Sequence, residues 1–241
     1  MDLIGRVAIV TGGGSGLGAE ICRQLVQAGA RVGVNFSRSE RTARELAEAL
    51  GEGVACPVRA DVRDDASVVA MVEHVEATFG GPVDLLVNNA GVTTYAPAED
   101  LDAITDEDWD QILGVNVVGT WHCVRAVARG MRTRGAGAIV NVASDAAFLL
   151  EGSSIPYVVS KVGVVTMTRT LATALAPDVR VNAVAPGWMD TPWLDRYIPA
   201  EVTTELRRGG EPTVALDRVA GEVLRLLATD GVTGEVTLLS E

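Results

Sequence analysis

Residues 6–18 read Arg6-Val7-Ala8-Ile9-Val10-Thr11-Gly12-Gly13-Gly14-Ser15-Gly16-Leu17-Gly18, a short apolar run that ends in a glycine cluster. A helical stretch follows, from about Gly16 to Gly29, and the second glycine stops it. The order is therefore strand, glycine turn, helix. Glycine permits positive φ and carries no Cβ to obstruct a phosphate. The helix behind the turn offers free N–H groups and the positive end of its dipole. Gly12, Ser15, Gly16, Leu17 and Gly18 are thus candidate pyrophosphate contacts. The spacing is T-G-x-x-x-G-x-G, which differs from both G-x-G-x-x-G and the phosphate-loop pattern that ends in lysine.

The same alternation continues outward from this stretch. Arg31–Phe36 reads as a strand, Ser39–Leu50 as an amphipathic helix, and Val54–Val58 as a strand. Asp64–Phe79 is a helix with Val68, Met71, Val72 and Val75 on one face, and Val83–Val87 is a strand. The second half predicts one long helix from Asp106 to about Arg132, a strand Gly137–Val142, a helix Pro156–Leu175 and a strand Val179–Ala185. Trp188–Gly210 reads as irregular and aromatic, Thr213–Thr229 as a helix and Gly234–Leu239 as a last strand. Continuous β-branched strands between amphipathic helices predict a parallel sheet covered on both faces. The expected fold is therefore α/β, a doubly wound parallel sheet of about seven strands, as one Rossmann-type domain over residues 1–241. A substrate loop or lid is expected at about residues 188–212.

Bulk composition narrows the function. The chain has 241 residues, 48% of them hydrophobic and only 4% aromatic, so Ala, Val, Leu and Ile must build the core. A formal net charge of −12 opposes nucleic acid and anionic membrane as partners. No apolar run is read as long enough to span a bilayer, and residues 1–6 do not resemble a signal peptide. Three scattered cysteines, Cys22, Cys56 and Cys123, suit free thiols in a reducing compartment, and a cytoplasmic location is expected. No metal site is expected, because His74 and His122 lack neighbouring ligands.

The second strand ends Asn35-Phe36-Ser37-Arg38, with no acidic residue to bind an NAD ribose. Ser37 and Arg38 instead suit a 2′-phosphate, with Arg41 one turn further, so NADP(H) is favoured over NAD(H). Asp61 and Val62 follow the third strand and are placed to reach adenine. Asn88-Asn89-Ala90-Gly91 follow the fourth.

One of the 20 Lys and Arg side chains is lysine, Lys161, and it lies four residues after Tyr157. Chance would place it so about one time in eighty, so the spacing is informative. On a helix the two share a face. A free phenol has a pKa of about 10 and is a poor base at neutral pH, whereas a neighbouring ammonium favours phenolate. Ser144 ends the fifth strand and is positioned to hold a substrate oxygen. Asp145, directly after it, is read either as tuning the site or, the favoured reading, as satisfying backbone donors.

Taken in order, Thr11-Gly12…Gly16…Gly18, Asn88-Asn89-Ala90-Gly91, Asn116, Ser144, Tyr157-Val158-Val159-Ser160-Lys161 and Pro186-Gly187…Thr191 resemble the short-chain dehydrogenase/reductase family. The stretch Val34–Ser39 looks like its NADPH-using 3-oxoacyl-carrier-protein reductase branch. The resemblance covers nearly the whole chain. It implies that Tyr157 is the general acid/base, that Lys161 lowers its pKa and binds the nicotinamide ribose, and that Ser144 orients the carbonyl. Asn116 would hold a relay water, Asn88 would lie near the ribose with Ala90 and Gly91 beside it, and Pro186, Gly187 and Thr191 would meet the nicotinamide end. It also implies a homotetramer or homodimer built on the two long central helices. Departures are the short Asp230–Gly234 connection and an ending at Leu239-Ser240-Glu241, which put the C-terminal subunit contact in question.

Tyr95, Phe148, Trp188 and Trp193 are expected to wall an apolar substrate pocket, suited to a small-molecule hydrophobic or acyl-type ketone. Arg125, Arg129, Arg132 and Arg134 suggest a landing patch for an acyl carrier protein, although the overall charge opposes an acidic partner. Competing readings are an oxidative NAD(P)-dependent alcohol or sugar dehydrogenase and a non-catalytic dinucleotide sensor.

Overall fold

The computed structural model describes residues 1–208 and 213–240. Seven strands form one parallel sheet: β1 (Val7–Val10), β2 (Arg31–Phe36), β3 (Ala55–Arg59), β4 (Leu85–Asn88), β5 (Gly137–Val142), β6 (Val179–Pro186) and β7 (Val236–Leu239). Their order is β3-β2-β1-β4-β5-β6-β7. The chain starts in the middle, runs outward one way, then returns to build the other half. The reversal falls between β1 and β4, and doubly wound folds bind ligands at the carboxyl ends of such strands.

Alternation along β1 shows how two layers are covered. Ala8 and Val10 pack with Ile21, Cys22 and Leu25 of α1 (Gly16–Gln27) and with Val223 and Leu226 of α10 (Leu216–Ala228). Val7 and Ile9 face the opposite way, toward Met71 and Val75 of α3 (Asp65–Phe79) and Val124 and Met131 of α5 (Thr120–Arg134). Period-two strands buried on both faces therefore need apolar residues at every position, as the sequence has. α2 (Glu40–Leu50) and α7 (Ile155–Leu175) complete the layers.

Three expectations are corrected. The long helix from Asp106 is interrupted: α4 (Asp106–Leu113) passes into a π-helical segment, Gly114–Gly119, before α5 begins. Such a widened turn leaves no mark in apolar periodicity and is frequent at functional sites. The irregular stretch holds two short helices, α8 (Pro192–Tyr197) and α9 (Ala200–Arg207), and a further one, α6 (Ala146–Leu149), precedes α7. Residues 209–212 of the expected lid lie outside the described residues. Finally, α7 is by length and composition apolar enough to cross a bilayer. Its inner face packs in the fold instead, with Val164, Val165, Leu171 and Leu175 buried and Lys161 among them.

The short 230–234 connection is fixed from below. Arg180 on β6 donates to the carbonyls of Leu226 and Leu227 at the end of α10, and Asn182 bonds Val232 O at 2.9 Å and Glu235 N at 3.0 Å. β7 can therefore pair with β6 through Pro186↔Leu239.

Candidate active site

A cleft of about 860 Å³ opens along the carboxyl ends of the strands. One wall is the glycine turn. Gly12 has φ +61° and Gly16 φ +51°, so both occupy the region a Cβ would strain. Gly18 is needed for a different reason, since a Cβ there would lie 2.4 Å from Gly12 O and 2.6 Å from Asn89 Nδ2. Ser15 does not cap α1 with its side chain. The first-turn N–H groups, which have no intrahelical acceptor, therefore remain for a ligand on this wall.

The turn is held from three sides, through contacts the sequence reading did not foresee. Asn35, buried in β2, accepts from Gly12 N at 3.2 Å and donates to Ala60 O at 3.2 Å, while its own carbonyl accepts from Gly13 N at 2.8 Å. Thr11 Oγ1 accepts from Asn89 N and Ala90 N, each at 3.0 Å. Asn89 Nδ2 donates to Thr11 O at 2.9 Å. A polar Asn inside the apolar run Val32–Phe36 was the available signal for the first of these.

The end of the cleft next to β2 and β3 is lined by Ser37, Arg38, Asp61, Val62 and Arg63. Arg38 is exposed and makes no hydrogen bond or ion pair among the described residues, although its charge helps hold the Asp61 carboxyl below its usual range. The main cause of that depression is Arg63, which grips Asp61 at 2.6 Å. Arg63 is a second guanidinium at this end that the sequence reading missed. Arg41 turns away and pairs with Glu45 at 2.9 Å.

At the other end, Ser144, Asp145, Tyr157, Lys161, Pro186, Gly187 and Thr191 line the same cleft, with Ala90 and Gly91 between. Tyr157 and Lys161 share one face of α7, and Nζ lies 5.6 Å from the phenol ring centre. The expected depression of the phenol is corrected. Lys161 donates to Val142 O at 2.9 Å, so the ammonium is not aimed at the hydroxyl. Burial dominates both groups, raising Tyr157 to about 12 against the opposing pull of Ser144, and lowering Lys161 to about 8. The Asp145 charge also raises Tyr157.

Asn116 sits in the π-helical segment, fully buried, and does not line the cleft. Its amide clasps the backbone of Val92, accepting from N at 2.9 Å and donating to O at 3.0 Å, and also donates to Ser160 Oγ at 2.9 Å. It joins the loop after β4 to α7 and so fixes Lys161 relative to Gly91.

Three further expectations are corrected. Asn88 is turned into the sheet, where it donates to Asn141 Oδ1 at 2.9 Å, and does not line the cleft. Adjacent positions of a strand face opposite ways, so Asn89, not Asn88, meets the glycine turn. Phe148 is 43% exposed and off the cleft, and Leu149, about 100° further round α6, lines it instead. Asp145 satisfies no backbone donor with its side chain; it accepts from Ser144 Oγ at 3.0 Å.

Tyr95, Trp188 and Trp193 do line the cleft. Trp193 donates from Nε1 to Gly91 O at 2.9 Å, stands 6.0 Å from the Tyr157 ring centre and 5.1 Å from that of Tyr197. Arg207 of α9 steadies this segment by pairing with Asp190 and Asp195, each at 2.8 Å.

A glycine turn at the β1/β4 reversal, with Ser144, Tyr157 and Lys161 in one cleft, agrees with the pattern of the family described as short chain dehydrogenase, which matches residues 6–201. The chain belongs to that family. A Streptomyces violaceoruber protein that carries the name of a ketoacyl reductase of the granaticin polyketide synthase is 43% identical over 97% of this chain and 94% of its own. A D-beta-hydroxybutyrate dehydrogenase of Rhizobium meliloti is 32% identical over 95% of both chains. Among solved structures, a 3-ketoacyl-(acyl-carrier-protein) reductase from Brucella melitensis, complexed with NADH, superposes with a TM-score of 0.87 at 31% identity, covering 98% of this chain and 97% of that one. This short-chain dehydrogenase is thus an oxidoreductase of alcohol and ketone substrates that uses a nicotinamide cofactor.

Proposed function

We propose that this enzyme is an NADP(H)-dependent ketoreductase, and that Ser144, Tyr157 and Lys161 act on a small-molecule ketone in the cleft. The observation that carries the reading is the convergence of a half-buried phenol, a serine hydroxyl and the chain's one lysine opposite a glycine turn. A bound nicotinamide would supply the hydride. Tyr157, held protonated by desolvation, donates its proton to the carbonyl oxygen, and the Ser144 hydroxyl, rotated from Asp145 onto that oxygen, orients it. Lys161 stands behind the phenol to favour its conjugate base once the proton has left. Asn116 holds the backbone that carries this geometry. Residues 188–208 serve as the lid, with Trp193 over Tyr157. Tyr157→Phe is expected to lose at least about a thousandfold in kcat while still binding the cofactor, since only the transferable proton is removed; unchanged turnover would refute the assignment.

Support for NADP(H) is the exposed Arg38 beside Ser37, which pairs with no acid among the described residues, with Arg63 lining the same end of the cleft, and the lack of a carboxylate at the end of β2. The Brucella relative's complex is with NADH, so a binding measurement is the test of the preference. Calorimetry should give tighter binding of 2′,5′-ADP than of 5′-AMP, and Arg38→Ala should remove most of the difference while leaving 5′-AMP binding unchanged. Equal loss for both would refute the phosphate role.

A homotetramer or homodimer through the central helices is the proposed assembly, supported by half-exposed Val118, Trp121, Val159 and Val162 on them. A cytoplasmic location is consistent with three buried free cysteines. An acyl carrier protein is a weaker partner reading, because Arg125 is paired with Asp65 and Arg134 is engaged by Val83 O.

A further inference from the structure

Asp145 has no task in the mechanism above, yet it lies in the cleft directly beside Ser144. Ser144 Oγ donates to its Oδ1 at 3.0 Å, and its Oδ2 lies 3.1 Å from the point a β-carbon on Gly187 would take. The carboxylate forms no ion pair among the described residues. Lys161 is committed to Val142 O, Arg196 lies over the Tyr197 ring, and Glu151 adds a second acid to the same cleft.

Any substrate oxygen held by the Ser144 and Tyr157 hydroxyls therefore has a carboxylate within a few ångströms of it. A second negative charge on a carbon flanking the carbonyl would stand roughly 6 Å away, where like charges at a partly buried site disfavour binding by about a hundredfold. A neutral group with an N–H or O–H would instead find an acceptor with open lone pairs. We propose that Asp145 sets the substrate class: a ketone uncharged on the carbons flanking its carbonyl, such as an amide, ester or thioester of a 3-oxo acid or a hydroxyketone, with free 3-oxo carboxylates excluded. The inference rests on the ketoreductase reading.

The probes are 3-oxobutanoate and 3-oxobutanamide, which share a carbon skeleton and differ in charge, each with saturating NADPH. The wild-type enzyme should give a kcat/KM at least about tenfold higher for the amide. Asp145→Asn should bring the two within about threefold, whereas Asp145→Glu, which keeps the charge, should retain the preference. A wild-type enzyme that uses the anion as well as the amide overturns the proposal, and this comparison needs no variant to fold. An amide-to-anion ratio unmoved in a folded Asp145→Asn protein overturns it equally. NADPH left unconsumed with both probes refutes the ketoreductase reading itself, and the inference with it.

Discussion

Asn35 offers the sharpest test of how the fold builds the cleft. Its side chain is 2% exposed and joins the glycine turn to the end of β3, through Gly12 N at 3.2 Å and Ala60 O at 3.2 Å, with a longer contact to Val58 O at 3.4 Å. Asn35→Ala removes these bonds and leaves a donor and a carbonyl without partners. Two net hydrogen bonds at about 1 kcal/mol each, with part of the desolvation penalty of the orphaned groups, amount to about 3 kcal/mol. For a domain of this size that is roughly 6–12 °C in Tm. Gly12 must hold φ +61° for the turn to face the cleft, so dinucleotide affinity should fall as well. Asn35→Asp is the discriminating control. It keeps the acceptor for Gly12 but aims a carboxylate at two carbonyls, so it should be at least as destabilising despite its matching shape. Thermal melts and calorimetric cofactor titration measure both effects. An Asn35→Ala protein that melts within 2 °C of wild type with unchanged affinity would refute this account of the turn.

Lys161→Met should abolish turnover yet stabilise the protein at neutral pH. The native pKa of Lys161 lies near 8, below its unfolded value, so the stability tied to this group is present above about pH 10 and lost as pH falls through 8. At pH 7 burying the ammonium costs on the order of 3 kcal/mol, less about 1 kcal/mol for its bond to Val142 O, so Tm should rise by roughly 4–8 °C and the gain should shrink toward pH 10. A melt at pH 7 unchanged or lowered would count against burial as the dominant effect. Gly18→Ala should weaken cofactor binding at least about tenfold, because the 2.4 Å clash is with the backbone oxygen of Gly12, which can yield only by moving the turn; wild-type affinity would show that the turn is softer than drawn.

Chain order alone determined the doubly wound sheet, because buried parallel strands require unbroken apolar runs and the helices between them require a period near 3.6. It also determined the glycine turn and the Tyr157–Lys161 pair, since an i,i+4 spacing on a helix fixes a shared face. Contacts distant in sequence were decided only by the folded chain. Asn35 reaches the glycine turn, Asn116 clasps Val92, Trp193 bonds Gly91, and Arg63 turns back onto Asp61. Which of Asn88 and Asn89 faces the cleft depends on strand register, and the protonation of Tyr157 and Lys161 depends on how much water packing removes. Periodicity reports which side of an element is buried; it carries no record of what lies against that side, and that is where hydrogen-bond partners and shifted pKa values arise.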